Sequence, residues 1–329
     1  MKIFVYCFRD FDEKEFFDKF AKAYNVEYGY TSEYPSPENV ELAKGYDAVS
    51  FTPCNIDKTM IDKFYDLGVR YFATRSIGFD HIDIEYAKSK GIGVSNVSYQ
   101  PDTVADFTLM LMLMSCKKIG HILKRSEVQD YSLKGKIGKN LGDCTVGVIG
   151  TGRIGQAVIN RVAGFGSKIL AYDIYQNDSV KKYAEYTDFE TLIRESDLIT
   201  LHTPGSDENH HLLNAEAFEK MKNGVIIINT ARGRLIDTDA LIDAIECGKV
   251  GGAGLDVLEH EDGLYYANRM GDVIVNRRMA VLRSFPNVIL TPHTAFYSDI
   301  VVSNMAEKTI KCVLDMAEGK DNPNIIINN

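Results

Sequence analysis

Thr145-Val146-Gly147-Val148-Ile149-Gly150-Thr151-Gly152-Arg153-Ile154-Gly155 runs an apolar strand pattern straight into a G-x-G-x-x-G turn. The amphipathic stretch Gln156 to Phe165 follows, and the next apolar run, Lys168-Ile169-Leu170-Ala171-Tyr172, ends on Asp173, 18 residues beyond Gly155. A glycine motif between a strand and a helix, with an acid in that register, predicts a dinucleotide site. Gly150 permits the tight turn, Gly152 lets the backbone approach a pyrophosphate, and Gly155 lets the helix close on the sheet. The first N–H groups of that helix then face the phosphates. A glycine turn that binds nothing is the bland alternative, and the acid in register argues against it.

Outward from this motif, apolar runs and helical patterns alternate in two blocks. The first has short strands near Ile3–Cys7, Ala48–Phe51, Tyr71–Thr74 and Val94–Val97. The second has Val146–Ile149, Ile169–Tyr172, Leu198–Leu201, Val225–Asn229, Gly252–Val257 and Val288–Leu290. Such alternation predicts an α/β chain with two parallel sheets and right-handed crossovers. The motif lies in the second block, so a smaller α/β domain precedes the cofactor domain. A helical pattern over Ser298–Glu318 follows the last strand and is expected to pack back on the first domain. We find no repeat and no low-complexity linker.

Composition suits a soluble enzyme. The 329 residues suffice for two cored domains, with 45% hydrophobic and 25% charged residues. A net charge of −9 disfavours a nucleic-acid partner or an anionic membrane. Met1 to Tyr6 reads as a first strand and not as a signal peptide, since Arg9-Asp10-Phe11-Asp12-Glu13 follows at once. Phe107 to Met114 is too short to span a bilayer. Its apolar positions circle a helix, which predicts burial at a domain or subunit contact. Cys7, Cys54, Cys116, Cys144, Cys247 and Cys312 show no C-x-x-C pairing, as in reduced cytoplasmic proteins. No Cys/His set has zinc spacing, His210-His211 reads as a solvated loop pair, and no metal is expected.

Asp173 stands where a carboxylate hydrogen-bonds the adenosine ribose and repels a 2′-phosphate. Ile174-Tyr175 supplies no arginine, so the expected cofactor is NAD rather than NADP. Two further strand ends, Leu201-His202-Thr203-Pro204 and Ile228-Asn229-Thr230-Ala231-Arg232-Gly233, lie where ligands of open α/β sheets bind.

Several blocks in order now resemble one family. They are Thr74-Arg75-Ser76-Ile77-Gly78-Phe79-Asp80-His81-Ile82-Asp83, Asn96 to Pro101, the glycine motif, Asn229 to Gly233, Gly254 to Glu261, and Thr291 to Tyr297. Together they resemble the D-isomer-specific 2-hydroxyacid dehydrogenases over nearly the whole length, and within that family its NAD-dependent D-lactate dehydrogenases. The resemblance implies a discontinuous, flavodoxin-like substrate domain, residues 1–98 with 298–329, and a Rossmann NAD-binding domain, residues 99–297. It also implies a homodimer.

The catalytic trio implied by the resemblance is Arg232, Glu261 and His293. A 2-oxo acid is an anion with a polarisable carbonyl, so a permanent guanidinium can bind its carboxylate and steady the developing alkoxide. Reduction needs a proton beside the hydride, and a histidine that titrates near neutrality donates one. A neighbouring carboxylate orients the ring and favours its charged form. Each residue has a plainer reading: a salt bridge from Arg232 to Asp237, or a satisfied core histidine at 293. Glu259 and Asp262 compete with Glu261 for the acid, but the family's acid falls five residues after its aspartate, here Asp256.

The resemblance further places Arg153 and Ile154 at the pyrophosphate, and His202, Thr203, Pro204 and Asn209 along the cofactor. Thr230, Ala231, Arg232 and Asp256 fall toward the nicotinamide, with a turn-capping Asp256 as the alternative. Backbone N–H groups at Ile77-Gly78 are expected to meet the substrate carboxylate, and Tyr99, Phe296 and Tyr297 to wall the pocket. Core packing is an equal alternative for these aromatics. The implied activity is reversible hydride transfer between NADH and a 2-oxo acid, with pyruvate and D-lactate foremost and larger 2-hydroxy acids as the runner-up. A cofactor-sensing corepressor of the same fold is a rival, disfavoured by the absence of a basic targeting run. Relatives acting on phosphoglycerate, formate or phosphite rank lower, since Arg75 is the only basic residue in the carboxylate loop.

Overall fold

Leu198–Leu201 and Val225–Asn229 are buried at every position. Strands so enclosed belong to the middle of a parallel sheet covered on both faces. A computed structural model describes residues 1–261 and 263–328 and sets these strands in such a sheet. In chain order the strands are β1 (Lys2–Val5), β2 (Glu27–Tyr30), β3 (Ala48–Phe51), β4 (Tyr71–Thr74), β5 (Gly93–Ser95), β6 (Thr145–Ile149), β7 (Lys168–Tyr172), β8 (Glu185–Tyr186), β9 (Leu198–Leu201), β10 (Val225–Asn229), β11 (Val250–Leu255), β12 (Val288–Leu290) and β13 (Ile325–Ile327). The chain divides into two compact units: Met1–Gln100 with Tyr297–Asn329, and Pro101–Phe296.

In the first unit the strand order is β13-β5-β4-β3-β1-β2. β1 to β5 run parallel, and β13 joins the edge antiparallel to β5. Alternate residues of β1 face opposite sides of the sheet. Ile3 and Val5 pack with Phe17, Phe20, Ala306, Ile310 and Val313, so the helix Asp299–Ala317 does return to this unit. Phe4 packs on the other face with Val49, Ile61, Phe64 and Phe72. β1 stops short of the expected Cys7, whose backbone turns left-handed at φ 53.

In the second unit the order is β12-β11-β10-β9-β6-β7-β8, with every pairing parallel. Ile149, Leu170, Ile199 and Leu201 fill one face with Leu192, Leu213 and Leu241. Val146, Val148, Ile169 and Leu198 fill the other with Val158, Val162, Leu111 and Met112. The order reverses beside β6, which pairs with β7 on one side and β9 on the other, the switch point where such sheets bind ligands. The apolar Phe107–Met114 stretch lies in the helix Asp102–Cys116, whose Leu111 and Met112 are fully buried on this sheet while Met110 stays exposed. Among the described residues, no helix is long and apolar enough to cross a membrane. The six cysteines are free thiols, with Cys247 exposed.

Candidate active site

The glycine motif divides its labour visibly. Gly150 has φ +94, and a Cβ there would lie 2.6 Å from the His202 carbonyl carbon and 2.8 Å from the Thr203 nitrogen. A Cβ at Gly155 would lie 2.0 Å from the Gly150 carbonyl oxygen. Both clashes are with main chain, which cannot rotate away. Around Gly152, by contrast, nothing lies within 4 Å of such a Cβ. Gly152 is also the N-cap of the helix Arg153–Ala163 and offers no capping side chain. The first N–H groups of that helix therefore border open space, as a pyrophosphate requires. Ile154 packs partly into the core, and Arg153 is exposed.

Asp173 ends β7 beside this turn. Its Oδ2 accepts the Thr151 amide at 2.6 Å and the Thr151 hydroxyl at 3.1 Å, and its Oδ1 accepts the Tyr175 amide at 3.0 Å. The Tyr186 hydroxyl donates to Thr151 Oγ1 at 2.7 Å. Sequence reasoning missed both Thr151 and Tyr186, because they act only by holding the acid. His202 follows β9, and burial pushes its imidazole down to about 3, so it stands neutral with Nε2 2.9 Å from Thr200 Oγ1. The next residue, Thr203, has a buried hydroxyl with no hydrogen-bond partner. An orphaned hydroxyl beside open glycine backbone and an uncapped helix start fits a polar ligand such as NAD. The Asn209 amide donates to the Pro204 carbonyl at 3.0 Å and closes this loop.

β10, β11 and β12 are neighbours, and each delivers one member of the expected trio just past its carboxyl end. Beyond β10, Asn229 accepts the Ala231 amide at 3.0 Å and donates to the Arg232 carbonyl at 2.8 Å, shaping the turn that presents Arg232. The Arg232 stem packs where Gly205 lacks a side chain, its Cγ 2.9 Å from the Cβ position. Thr230 Oγ1 lies 2.8 Å from Thr108 Oγ1. Asp237, the alternative partner for Arg232, instead caps the helix Thr238–Glu246 by accepting two amides.

Beyond β11, Glu261 Oε1 lies 2.5 Å from His293 Nδ1, and Oε2 accepts the Leu258 amide at 2.7 Å. A proton on Nδ1 shared with the carboxylate leaves Nε2 as the outward ring nitrogen. Glu259 turns elsewhere, to His211 and Thr238. Asp262, the other alternative acid, lies outside the described residues. Asp256 is fully buried, and its carboxylate accepts the Thr291 hydroxyl at 2.6 Å, the Thr294 amide at 2.9 Å and the Ala295 amide at 2.8 Å. These bonds cap the turn, one of its two expected roles. The turn holds His293 left-handed at φ 54. Sequence reasoning passed over Tyr266, whose hydroxyl donates to the His293 carbonyl at 2.8 Å. The Phe296 ring stands edge-on to the His293 ring, with centroids 6.4 Å apart.

The remaining candidates belong to the first unit. Ser76 donates to the Gly78 carbonyl at 2.6 Å and Asn96 to the Ile77 carbonyl at 2.7 Å, which fixes the peptides of the Ile77-Gly78 turn. Arg75 points away from that turn into the core. It donates to Glu13 at 3.0 Å, Ser50 at 3.0 Å, and the carbonyls of Tyr6 and Cys7, each at 2.9 Å. Tyr99 is half-buried, and the Tyr297 hydroxyl donates to Asp12 at 2.5 Å.

Comparison with known proteins fits this arrangement. Residues 109–295 match the family model described as D-isomer specific 2-hydroxyacid dehydrogenase, NAD binding domain. The chain is 44% identical over 315 residues to an aromatic 2-oxoacid reductase of Clostridium sporogenes, covering 94% of each protein. It is 39% identical over 309 residues to a D-lactate dehydrogenase of Lactiplantibacillus plantarum, covering 93% of each. A D-lactate dehydrogenase of Lactobacillus jensenii solved with NAD+ superposes with a TM-score of 0.84 at 31% identity, over 100% of both chains. Glycine motif, acid and strand-end trio thus sit in a chain that belongs to the D-isomer-specific 2-hydroxyacid dehydrogenases, as an NAD-dependent oxidoreductase.

Proposed function

We propose that the enzyme reduces pyruvate to D-lactate, with Arg232, Glu261 and His293 as its catalytic residues. One observation carries this reading: Glu261 Oε1 and His293 Nδ1 stand 2.5 Å apart at the strand ends next to the one bearing Arg232. Bound NADH supplies the hydride. Arg232 binds the substrate carboxylate through its planar fork and steadies negative charge on the carbonyl oxygen. His293 donates a proton from Nε2 to that oxygen, while Glu261 holds the ring at Nδ1 and offsets its charge. In oxidation the neutral imidazole accepts the proton back.

Asp173 is assigned to the adenosine ribose, and Gly150, Gly152, Arg153, Ile154 and Gly155 to the pyrophosphate. His202, Thr203, Pro204, Asn209, Thr230 and Ala231 line the cofactor in this reading. The unit of residues 1–100 and 297–329 is the substrate domain, with the Ile77-Gly78 turn presenting N–H groups to a carboxylate. A homodimer is supported by Val128, Tyr131, Leu133 and Ile137, each more than two-thirds exposed on a single segment. We assign the enzyme to the cytoplasm without a nucleic-acid or membrane partner, in keeping with its free thiols and net charge of −9.

A second reading, reduction of bulkier aromatic 2-oxo acids, is favoured by the higher identity to the aromatic 2-oxoacid reductase, 44% against 39% for the D-lactate dehydrogenase. The test is kcat/KM with NADH for pyruvate, 2-oxoisocaproate and phenylpyruvate, with chiral analysis of each product. Preference for pyruvate with an (R)-product supports the first reading. Preference for phenylpyruvate supports the second, and an (S)-product overturns both.

A further inference from the structure

A side-chain cluster outside the reacting groups joins His210, His211 and Glu259. Their ligand atoms lie within 4.8 Å of one another. The two imidazoles stack with centroids 3.8 Å apart and planes 21° from parallel. His211 adopts a left-handed backbone, φ 52, and its amide is anchored to the Arg234 carbonyl at 2.9 Å. Consecutive side chains of an extended segment point apart, so it is this turn that brings both rings to one side. His211 Nε2 then meets Glu259 Oε1 at 2.7 Å.

We propose that His210, His211 and Glu259 form a binding site for a divalent transition-metal ion of the zinc class. Two imidazole nitrogens and one carboxylate oxygen are the donor set of open zinc sites, with water completing the tetrahedron. Magnesium and calcium prefer oxygen donors, so the two imidazoles select against them. Asp237 Oδ2 lies 3.8 Å from His211 Nδ1, on the ring edge away from Glu259, longer than a hydrogen bond but adding negative charge beside the ring. Glu259 Oε2 is held by the Thr238 amide at 3.1 Å and hydroxyl at 2.6 Å, which leaves Oε1 as its ligating oxygen. To admit an ion, Nε2 and Oε1 need only separate to roughly 3.3 Å, the span of two tetrahedral zinc bonds. His210 is exposed, which gives the ion a path from solvent. Sequence spacing hides the site because Glu259 lies 48 residues beyond His211, on a different strand end.

The test is calorimetric titration of Zn2+ alone into chelator-treated, NAD+-bound enzyme. Wild type and Cys247→Ser, which removes the exposed thiol, are expected to bind one equivalent with equal affinity. His210→Ala and Glu259→Gln should each bind it at least tenfold more weakly. An unchanged melting temperature for His210→Ala shows that the loss is not one of folding, since its side chain is exposed. No uptake by wild type, undiminished affinity in both cluster variants, or loss of the ion in Cys247→Ser overturns the proposal.

Discussion

The amide of His293 donates to the main-chain carbonyl of Asp256 at 2.8 Å, while the Asp256 carboxylate gathers Thr291, Thr294 and Ala295 around it. One buried acid thus holds a whole turn from inside, and that turn fixes where the imidazole stands. Asp256→Asn keeps the volume but turns one acceptor into a donor facing an N–H. Stability should fall by about 1–3 kcal/mol, the cost of a buried group left unsatisfied. Urea unfolding beside kcat checks this: both should drop, and a variant with wild-type stability and turnover would refute the assignment.

Glu261→Gln retains shape and removes charge from the partner of His293. General acid–base catalysis contributes on the order of 10²–10⁴ in rate, and a neutral partner forfeits part of it, so kcat should fall at least about tenfold. Affinity for NADH should stay within about twofold, because Glu261 is bonded to His293 and Leu258 rather than to the glycine turn. Wild-type kcat in Glu261→Gln would end the pairing.

Asp173→Ala removes three accepted hydrogen bonds and one negative charge at the end of β7. The KM for NADH should rise about tenfold and the preference for NADH over NADPH should narrow. Steady-state kinetics with both cofactors measure this directly. Equal use of NADPH and NADH by the wild type would show that Asp173 does not discriminate.

His202 supplies a pH prediction for the apo-enzyme. Its imidazole is held near 3 by burial against an ordinary value of 6.5, so the folded protein stays unprotonated where the unfolded chain takes up a proton. Stability from this group is complete above the unfolded value and is lost as pH falls below it. Between pH 7.5 and 5.5 the loss is about 1.4 kcal/mol. His202→Gln keeps a nitrogen toward Thr200 and should lack this increment when urea unfolding is compared at the two pH values. Equal losses in both proteins would count against a buried, neutral imidazole.

Much of this architecture was readable in the chain because its strands are short, apolar and separated by helical periods. β3, β4, β9, β10 and β12 fall on the expected residues. β2 escaped because Glu27-Tyr28-Gly29-Tyr30 is only half-buried at the sheet edge and carries no apolar run. β13 escaped because its partner, β5, lies more than 200 residues away. The glycine motif and Asp173 were legible since their chemistry is local and ordered by spacing. Thr151, Tyr186 and Tyr266 were not, because each acts by holding another residue. Glu259 and Glu261 could not be told apart by type; the tertiary bonds to His211 and His293 distinguish them.

The unequal surroundings of the three motif glycines bear on how this enzyme can be redesigned. Positions 150 and 155 are closed to any side chain by the protein's own backbone, so changes there are paid in folding. Position 152 faces open space with an ordinary φ of −65, so alanine fits the empty protein and meets an obstacle only when a dinucleotide arrives. Gly152→Ala should therefore yield a folded enzyme with wild-type melting temperature and impaired NADH binding. A single methyl group would separate the architecture of the motif from its occupancy, which a substitution at either outer glycine cannot do.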